Sequence, residues 1–238
     1  MTCQRTLEVH SDSGFTKEQE KGYGIRGANT LRTGIDRTSG KPVWHLLESV
    51  CRSHKHVTRC SFSSETRAAV CAADDVVPVQ VTLHELVVGP LTPAQARHLV
   101  DQEWPSDLAV AGLVEHTDDC EVVSAGVYIN RIPQQSDVAE FTFKTILVVD
   151  SMSLWAAVAS NPVKVPAEKG LAVHLFWLRS ILDSGRLTRL RWCDTRDMSA
   201  DGHTKGCIDR ATLLSLMQGC FVYQHPVKDI TGRKPARQ

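Results

Sequence analysis

Alternating and continuous apolar runs predict the strands of the chain. Residues 7–12 read LEVHSD, and their alternation predicts a strand with one apolar and one polar face. The apolar face carries Leu7, Val9 and Ser11, and the polar face carries Glu8, His10 and Asp12. Residues 146–149 are all apolar, which is typical of a strand buried on both faces, and residues 187–192 predict a further short strand.

Helical patterns follow the first strands. Residues 65–88 predict a helix that Pro78 kinks or divides, and Thr92 predicts the start of another. Residues 168–184 predict a long helix with a single apolar stripe, which indicates core packing rather than a cofactor site. The stripe consists of Leu171, Leu175, Leu178 and Leu182. Antiparallel strands followed by alternating helices and strands predict a mixed sheet with helices on its faces.

Composition places the chain among globular proteins. It has 238 residues, of which 42% are hydrophobic and 23% charged, enough for one good core. The N-terminal residues lack the apolar segment of a secretory signal, and no apolar run is long enough to span a bilayer. We therefore expect a soluble intracellular protein, cytoplasmic or nuclear. The eight cysteines lie at irregular spacings, which favours reduced thiols over a disulfide framework.

Charge is unevenly distributed, although 27 basic and 27 acidic side chains balance over the whole chain. Residues 101–140 hold nine acidic side chains and one basic side chain, so the rest of the chain is net basic. A basic body suits contact with a phosphate backbone, because Lys and Arg release condensed counterions on binding. A solvated strand face is an equally good interpretation. The candidate nucleic-acid contacts are Arg26, Arg32, Lys41, Arg52 and Lys55.

Four carboxylates occupy positions at which predicted elements begin or end. Asp12 ends the alternating strand, and Asp150 follows the apolar one. Glu65 follows a Ser-Ser pair that predicts a helix N-cap, so Glu65 is expected in the first helical turn. Asp201 lies in the segment MSADGHTKG, residues 198–206. Acids that converge repel one another unless divalent cations neutralise them, and hard oxygen ligands select Mg²⁺ or Mn²⁺.

The order of these acids and their local sequences resemble the ribonuclease H domain of copia-type LTR retrotransposon polyproteins, over about residues 5–217. VHSDSGF is similar to the family's first strand, and KGYGIRGANTLRTG and GKPVWHLLES are similar to its second and third strands. RCSFSSETRAAV is similar to the helix start that carries the family's Glu. LVVDSMSLWAAVASNP and DTRDMSADGHTKG are similar to the segments that carry its third and fourth acids.

The resemblance implies a ribonuclease H-like α/β fold, with a mixed five-stranded sheet flanked by helices. It implies one domain over residues 5–220, interrupted at 105–143 by an insertion between the first helix and the fourth strand, and a tail over 221–238. The implied reaction is endonucleolytic cleavage of the RNA strand of an RNA–DNA hybrid, with two Mg²⁺ or Mn²⁺ ions. The implied catalytic and metal-binding residues are Asp12, Glu65, Asp150 and Asp201. A reverse transcriptase domain of the parent element is a further expected partner.

Three departures from the family pattern leave a second function open. Gly202 and His203 stand where apolar helix formers usually follow the last Asp, and Ser151 stands where Asn usually follows the third acid. Residues 101–140 add negative charge. The alternative is a catalytically inactive remnant of the same fold that at most binds nucleic acid. His203 follows Asp201 instead of preceding it, so we expect a surface histidine rather than the catalytic-loop histidine of cellular type I ribonucleases H.

A cluster of Cys51, His54, His56 and Cys60 offers residue types that bind zinc. Their spacing matches no common zinc motif, and the segment fits a strand end followed by a basic turn. We therefore expect a structural role, with zinc as the minor alternative.

Overall fold

A computed structural model describes residues 6–14, 24–36, 38–54, 58, 60–100, 142–205 and 210–233. Within these ranges the strands are β1 (Thr6–Gly14), β2 (Ile25–Ile35), β3 (Pro42–Ser53), β4 (Lys144–Val149), β5 (Arg189–Trp192) and β6 (Lys228–Ile230). The helices are α1 (Ser61–Val88), α2 (Pro93–Val100), α3 (Met152–Ala159), α4 (Gly170–Asp183), α5 (Asp201–Thr204) and α6 (Ala211–Met217). A 3₁₀ turn spans Thr195–Asp197. The expected insertion at 105–143 lies outside the described residues as far as residue 141.

The strands form one mixed sheet in the order β3-β2-β1-β4-β5-β6. β2 is antiparallel to β1 and β3, whereas β4 is parallel to β1 and β5. This order, with helices against the sheet, confirms the ribonuclease H-like α/β fold. The sheet has one strand more than the five expected, because β6 pairs antiparallel with β5 from within the stretch assigned to the tail. The single-domain assignment stays a prediction.

β1 lies in the middle of the sheet, and both of its faces are buried. Leu7 and Val9 belong to the main hydrophobic core, together with residues of α1, α3 and α4, which confirms the apolar face. The leucine stripe of α4 is almost completely buried, so its predicted role in core packing is also confirmed. Burial of these large side chains supplies most of the stabilisation of this layer.

The polar face of β1 is covered by C-terminal residues instead of solvent. Glu8 forms an ion pair with Arg191 at 3.0 Å and accepts a hydrogen bond from the Tyr223 hydroxyl at 2.8 Å. The His10 ring lies 3.0 Å from both the Tyr223 hydroxyl and Ser199 Oγ. A buried carboxylate needs such partners, because an unpaired buried charge costs several kcal/mol, of the order of 5.

α1 is one continuous helix of 28 residues, so the predicted division at Pro78 is wrong. Pro78 and Asp74 are both exposed, and water can therefore bond to the Asp74 carbonyl that Pro78 leaves without a donor. The predicted Ser-Ser cap is also wrong, because the helix begins at Ser61 with Cys60 as its N-cap. The Cys60 sulfur accepts the backbone N–H of residue 63 at 3.4 Å. Glu65 consequently lies in the second helical turn.

Thr92 caps α2 as predicted. The Gln95 N–H donates to Thr92 Oγ1 at 3.3 Å, and the Thr92 N–H donates to Gln95 Oε1 at 2.9 Å. This reciprocal pair is a capping box, which satisfies two backbone donors at the helix start.

The helices and the cysteines bear on the environment of the protein. No helix in the described ranges combines the length and apolar character needed to span a membrane. The cellular compartment stays a prediction. Cys51, Cys60, Cys193 and Cys220 form no disulfide bond within the described ranges.

Candidate metal centre

Three of the four predicted acids converge at one end of the sheet. Ser11 and Val149 are register partners in the parallel pair β1–β4, which places Asp12 and Asp150 side by side at the carboxyl ends of these strands. Glu65 comes from the second turn of α1. One oxygen of each carboxylate lies within 4.8 Å of the others. The acid triad, as we call Asp12, Glu65 and Asp150, has the spacing of a metal-ion site.

Asp12 is held in place by one of its two carboxylate oxygens. Its side chain is 1% exposed, and Oδ2 accepts a hydrogen bond from the Thr204 hydroxyl. Oδ1 is buried and has no hydrogen-bond partner among the described residues. A buried carboxylate oxygen without a partner is unfavourable, and a bound cation would satisfy it. The acid triad therefore fits a divalent cation with oxygen ligands.

Asp150 is fixed through both its side chain and its backbone. Its Oδ2 accepts a hydrogen bond from Thr195 Oγ1 at 3.0 Å, and its carbonyl accepts one from the Trp192 indole at 2.8 Å. The next residue, Ser151, is the N-cap of α3 and accepts the N–H of Leu154 at 3.4 Å. Ser151, which departs from the family pattern, thus caps the helix that follows the third acid.

Burial and neighbouring carboxylates raise the pKa of Glu65, Asp150 and Asp201. Burial, followed by the charges of Asp12 and Asp150, raises the pKa of Glu65 to about 9. Burial and Asp12 raise the pKa of Asp150 as well. For Asp201, burial and then Asp12 raise the pKa to about 7. The metal-free cluster therefore retains protons at neutral pH, and cation binding must displace them.

Asp201 lies beside the acid triad and is paired with a lysine. Its Oδ1 accepts a hydrogen bond from Lys205 Nζ at 2.6 Å, and the same ammonium lies 3.9 Å from Asp12 Oδ1. Although burial alone would lower it, the hydrogen bond to Asp201 and the charge of Asp12 raise the pKa of Lys205. The quartet predicted from the sequence is thus divided into the acid triad and an Asp201–Lys205 ion pair.

Two glycines allow α5 to approach the sheet closely. A Cβ at Gly27 would lie 2.9 Å from Cγ2 of Thr204 and 3.0 Å from the Ala200 carbonyl oxygen. A Cβ at Gly14 would collide with the Thr204 carbonyl. Gly27 is the register partner of Asp12. Because Gly14 and Gly27 have no Cβ, α5 can lie close enough to the sheet for Thr204 to contact Asp12.

His203 is not the surface histidine that the sequence predicts. It is half-buried, and its Nε2 lies 2.9 Å from Asn29 Oδ1 and 2.8 Å from Ser49 Oγ. These contacts attach α5 to β2 and β3, and so help to fix the position of the segment that carries Asp201.

Sequence analysis missed three residues that position the acids: Thr195, Thr204 and Lys205. Thr204 and Lys205 lie in the quoted segment DTRDMSADGHTKG, three and four residues after Asp201, which is the spacing of neighbours on one helical face. That spacing was an available signal for Lys205. Thr195 carried no comparable signal, because its contact with Asp150 depends on the tertiary fold.

Two of the predicted nucleic-acid contacts lie at the same end of the sheet as the acid triad. Arg26 and Arg52 are register partners in β2 and β3. Arg26 forms an ion pair with Asp75 of α1 at 2.8 Å, and its side chain is only 14% exposed. Arg52 is exposed and thus available for a phosphate group.

The other predicted contacts lie elsewhere. Arg32 is exposed but pairs with Leu7, five positions before Asp12 and about 17 Å away along the strand. Lys41 is exposed in the connection between β2 and β3, beyond Arg32. Lys55 lies outside the described residues. The nucleic-acid role of the whole set stays a prediction.

Among the described residues, Cys51, His54 and Cys60 form no group spaced to hold a metal ion. Cys51 donates to a backbone carbonyl of α5 at 3.3 Å, and Cys60 caps α1. His54 is buried with its Nε2 at 3.1 and 3.2 Å from two serine hydroxyls, and His56 lies outside the described residues. Within the described ranges, the acid triad is the one group of His, Cys, Asp or Glu side chains spaced to hold a metal ion.

No protein-family model matches the chain, and no curated protein matches its sequence. Among solved structures, the chain is similar to LC9-RNase H1, described as a type 1 RNase H with the type 2 active-site motif. The match covers 92% of this chain and 86% of that chain, at 12% sequence identity and a TM-score of 0.36. We therefore base the fold assignment on strand order and direction. The copia-type origin gains no support from these comparisons and stays a prediction.

Proposed function

We propose that this protein is a divalent-metal-dependent endonuclease that cleaves the RNA strand of RNA–DNA hybrids. The convergence of Asp12, Glu65 and Asp150 within 4.8 Å, at one end of a ribonuclease H-like sheet, carries the proposal. The donor set supports Mg²⁺ or Mn²⁺ rather than zinc, because all its ligands are hard oxygens. The retroelement origin and a reverse transcriptase partner rest on the sequence resemblance alone.

The chain's own residues orient the acids toward a common point. When bound, a divalent cation stabilises charge on the scissile phosphate and lowers the pKa of water. Thr204 fixes one oxygen of Asp12, and the other oxygen, which accepts no hydrogen bond among the described residues, can act as a ligand. Thr195 restrains Asp150 in the same way. Glu65, with a pKa of about 9, holds a proton at neutral pH until a cation offsets the neighbouring charges.

Preference for an RNA strand is a finer part of the proposal. RNA differs from DNA by its 2′-hydroxyl, and a hybrid has an A-like shape that proteins distinguish from duplex DNA. Arg52 is exposed at the end of the sheet that carries Asp12, which supports contact with a backbone phosphate near the acid triad.

The alternative is a catalytically inactive protein of the same fold that binds nucleic acid. One observation favours it: Asp201 is engaged by Lys205 at 2.6 Å, so the fourth acid of the expected quartet is already paired.

A cleavage assay separates the two functions. Purified protein is incubated with an RNA–DNA hybrid labelled on either strand, and with duplex DNA, in Mg²⁺, Mn²⁺ or EDTA. We expect metal-dependent cutting of the RNA strand alone. Asp150→Asn should abolish cutting, because it removes a ligand charge and almost no volume. Asp36→Asn is the matched control, since Asp36 lies in an exposed turn outside the acid triad, where its side chain accepts from the N–H groups of Thr38 and Ser39.

Binding of the hybrid without cutting in either metal would favour the inactive alternative. Cutting by Asp150→Asn at the wild-type rate would contradict the assignment of the acid triad as the catalytic site.

A further inference from the structure

We propose that the ammonium group of Lys205 takes the place of a second divalent cation, so that the protein binds a single metal ion at the acid triad. The inference rests on the proposed function, because it assumes that Asp12, Glu65 and Asp150 hold a cation. It departs from the two ions that the sequence resemblance implies.

The position of the ammonium carries the inference. Lys205 Nζ lies 2.6 Å from Asp201 Oδ1 and 3.9 Å from Asp12 Oδ1. A cation shared by the first and fourth acids would have to bind between these same two carboxylates. The side chains of Asp12 and Asp201 are 1% and 8% exposed, so the ammonium is their main source of compensating charge.

The backbone around Lys205 directs its side chain into the cluster. Lys205 is the C-cap of α5, and its N–H donates to the Asp201 carbonyl at 3.1 Å. The preceding residue, Thr204, bonds to Asp12, and His203 bonds to Asn29. Three consecutive residues are therefore attached to the site or to the sheet beside it.

A second cation would have to displace the lysine. Two cations about 4 Å apart repel strongly, and the repulsion is larger in a partly buried site than in water. The side chain of Lys205 is 35% exposed. Displacing it would also break its short charge-assisted hydrogen bond to Asp201. Asp201 is then a partner of the lysine and positions it, instead of acting as a metal ligand.

The number of bound ions tests the inference. Isothermal titration calorimetry with Mn²⁺ on the metal-free full chain should give one ion per wild-type chain. Lys205→Met should give two, because the fourth acid becomes available without a competing charge. Lys144→Met is the matched control and should give one, since Lys144 is exposed at the start of β4, at the opposite end of that strand from Asp150.

Lys205→Gln provides a second neutral variant that retains a donor for Asp201, should Lys205→Met fail to fold by circular dichroism. Two ions in the wild type, or one ion in both the wild type and the folded neutral variant, would overturn the inference while leaving the proposed function intact. No Mn²⁺ binding to the wild type would instead overturn the metal site on which the proposed function depends.

Discussion

Replacing Glu65 with Gln should stabilise the metal-free protein and, at the same time, remove much of its stabilisation by Mg²⁺. Burial and the charges of Asp12 and Asp150 raise the pKa of Glu65 from an ordinary value of 4.5 to about 9. Between these two pH values the folded protein binds a proton that the unfolded chain has released. Stability therefore falls as pH rises through this window, and the loss is complete above the folded pKa.

The size of the effect follows from the pKa. At pH 7, about 2.5 pH units above the ordinary value, each unit contributes about 1.4 kcal/mol, so Glu65 costs the metal-free fold about 3 kcal/mol. Glutamine has nearly the same shape and no charge to desolvate. For a chain of this length, recovering that free energy raises Tm by about 6–12 °C.

Thermal unfolding in EDTA, from about pH 6 to about pH 8, measures this gain. The advantage of Glu65→Gln over the wild type should grow with pH. Millimolar Mg²⁺ should then raise the Tm of the wild type by mass action and raise that of Glu65→Gln much less. Glu48→Gln, on β3 and outside the acid triad, is the matched control and should change neither quantity.

A Glu65→Gln variant that is less stable than the wild type in EDTA at pH 7 would refute this reasoning. It would mean that the Glu65 carboxylate is favourably solvated or paired, and that the three acids do not share one site.

Three further predictions concern two buried polar contacts and the acid triad. Thr204→Val should leave a buried oxygen of Asp12 without its donor and lower the free energy of unfolding, measured by urea titration, by about 1–3 kcal/mol. Thr204→Ser keeps the hydroxyl donor and should have nearly the wild-type free energy of unfolding. Arg191→Met should leave Glu8 buried without its counter-charge and cost about 3–5 kcal/mol, and unchanged thermal stability would contradict the buried ion pair. Mg²⁺ affinity, measured by calorimetry, should increase as pH rises through 7 towards 9, because the raised pKa of Glu65 makes cation binding at the acid triad release a proton; affinity independent of pH would argue against clustered acids.

Local patterns were sufficient to predict the central strands and the acids at their ends. Alternation in β1 and the apolar run of β4 reflect burial, which sequence periodicity records directly. Asp12 and Asp150 follow from those strands, because a polar residue at the end of a buried strand lies at the edge of the sheet. The parallel pairing that brings the two together could not be predicted from periodicity, because it depends on the order of the strands in the sheet.

Contacts made by residues near the C-terminus could not be predicted from local sequence patterns. Phe221 and Tyr223 cover the second face of the sheet, although they lie in the stretch assigned to the tail. Alternation predicted that Glu8 faces away from the apolar layer, but it could not distinguish solvent from a buried polar network. The Cys60 cap was missed because Ser is a far commoner N-cap residue than Cys.

Anomalous diffraction from crystals grown in Mn²⁺ tests the central claim most directly. The account predicts one strong anomalous peak, within coordination distance of oxygens of Asp12, Glu65 and Asp150, with the Lys205 ammonium remaining on Asp201. Ordered carboxylates with no anomalous peak among them would contradict the metal centre and the nuclease function built on it. This holds whether or not the protein cleaves the hybrid at the same Mn²⁺ concentration.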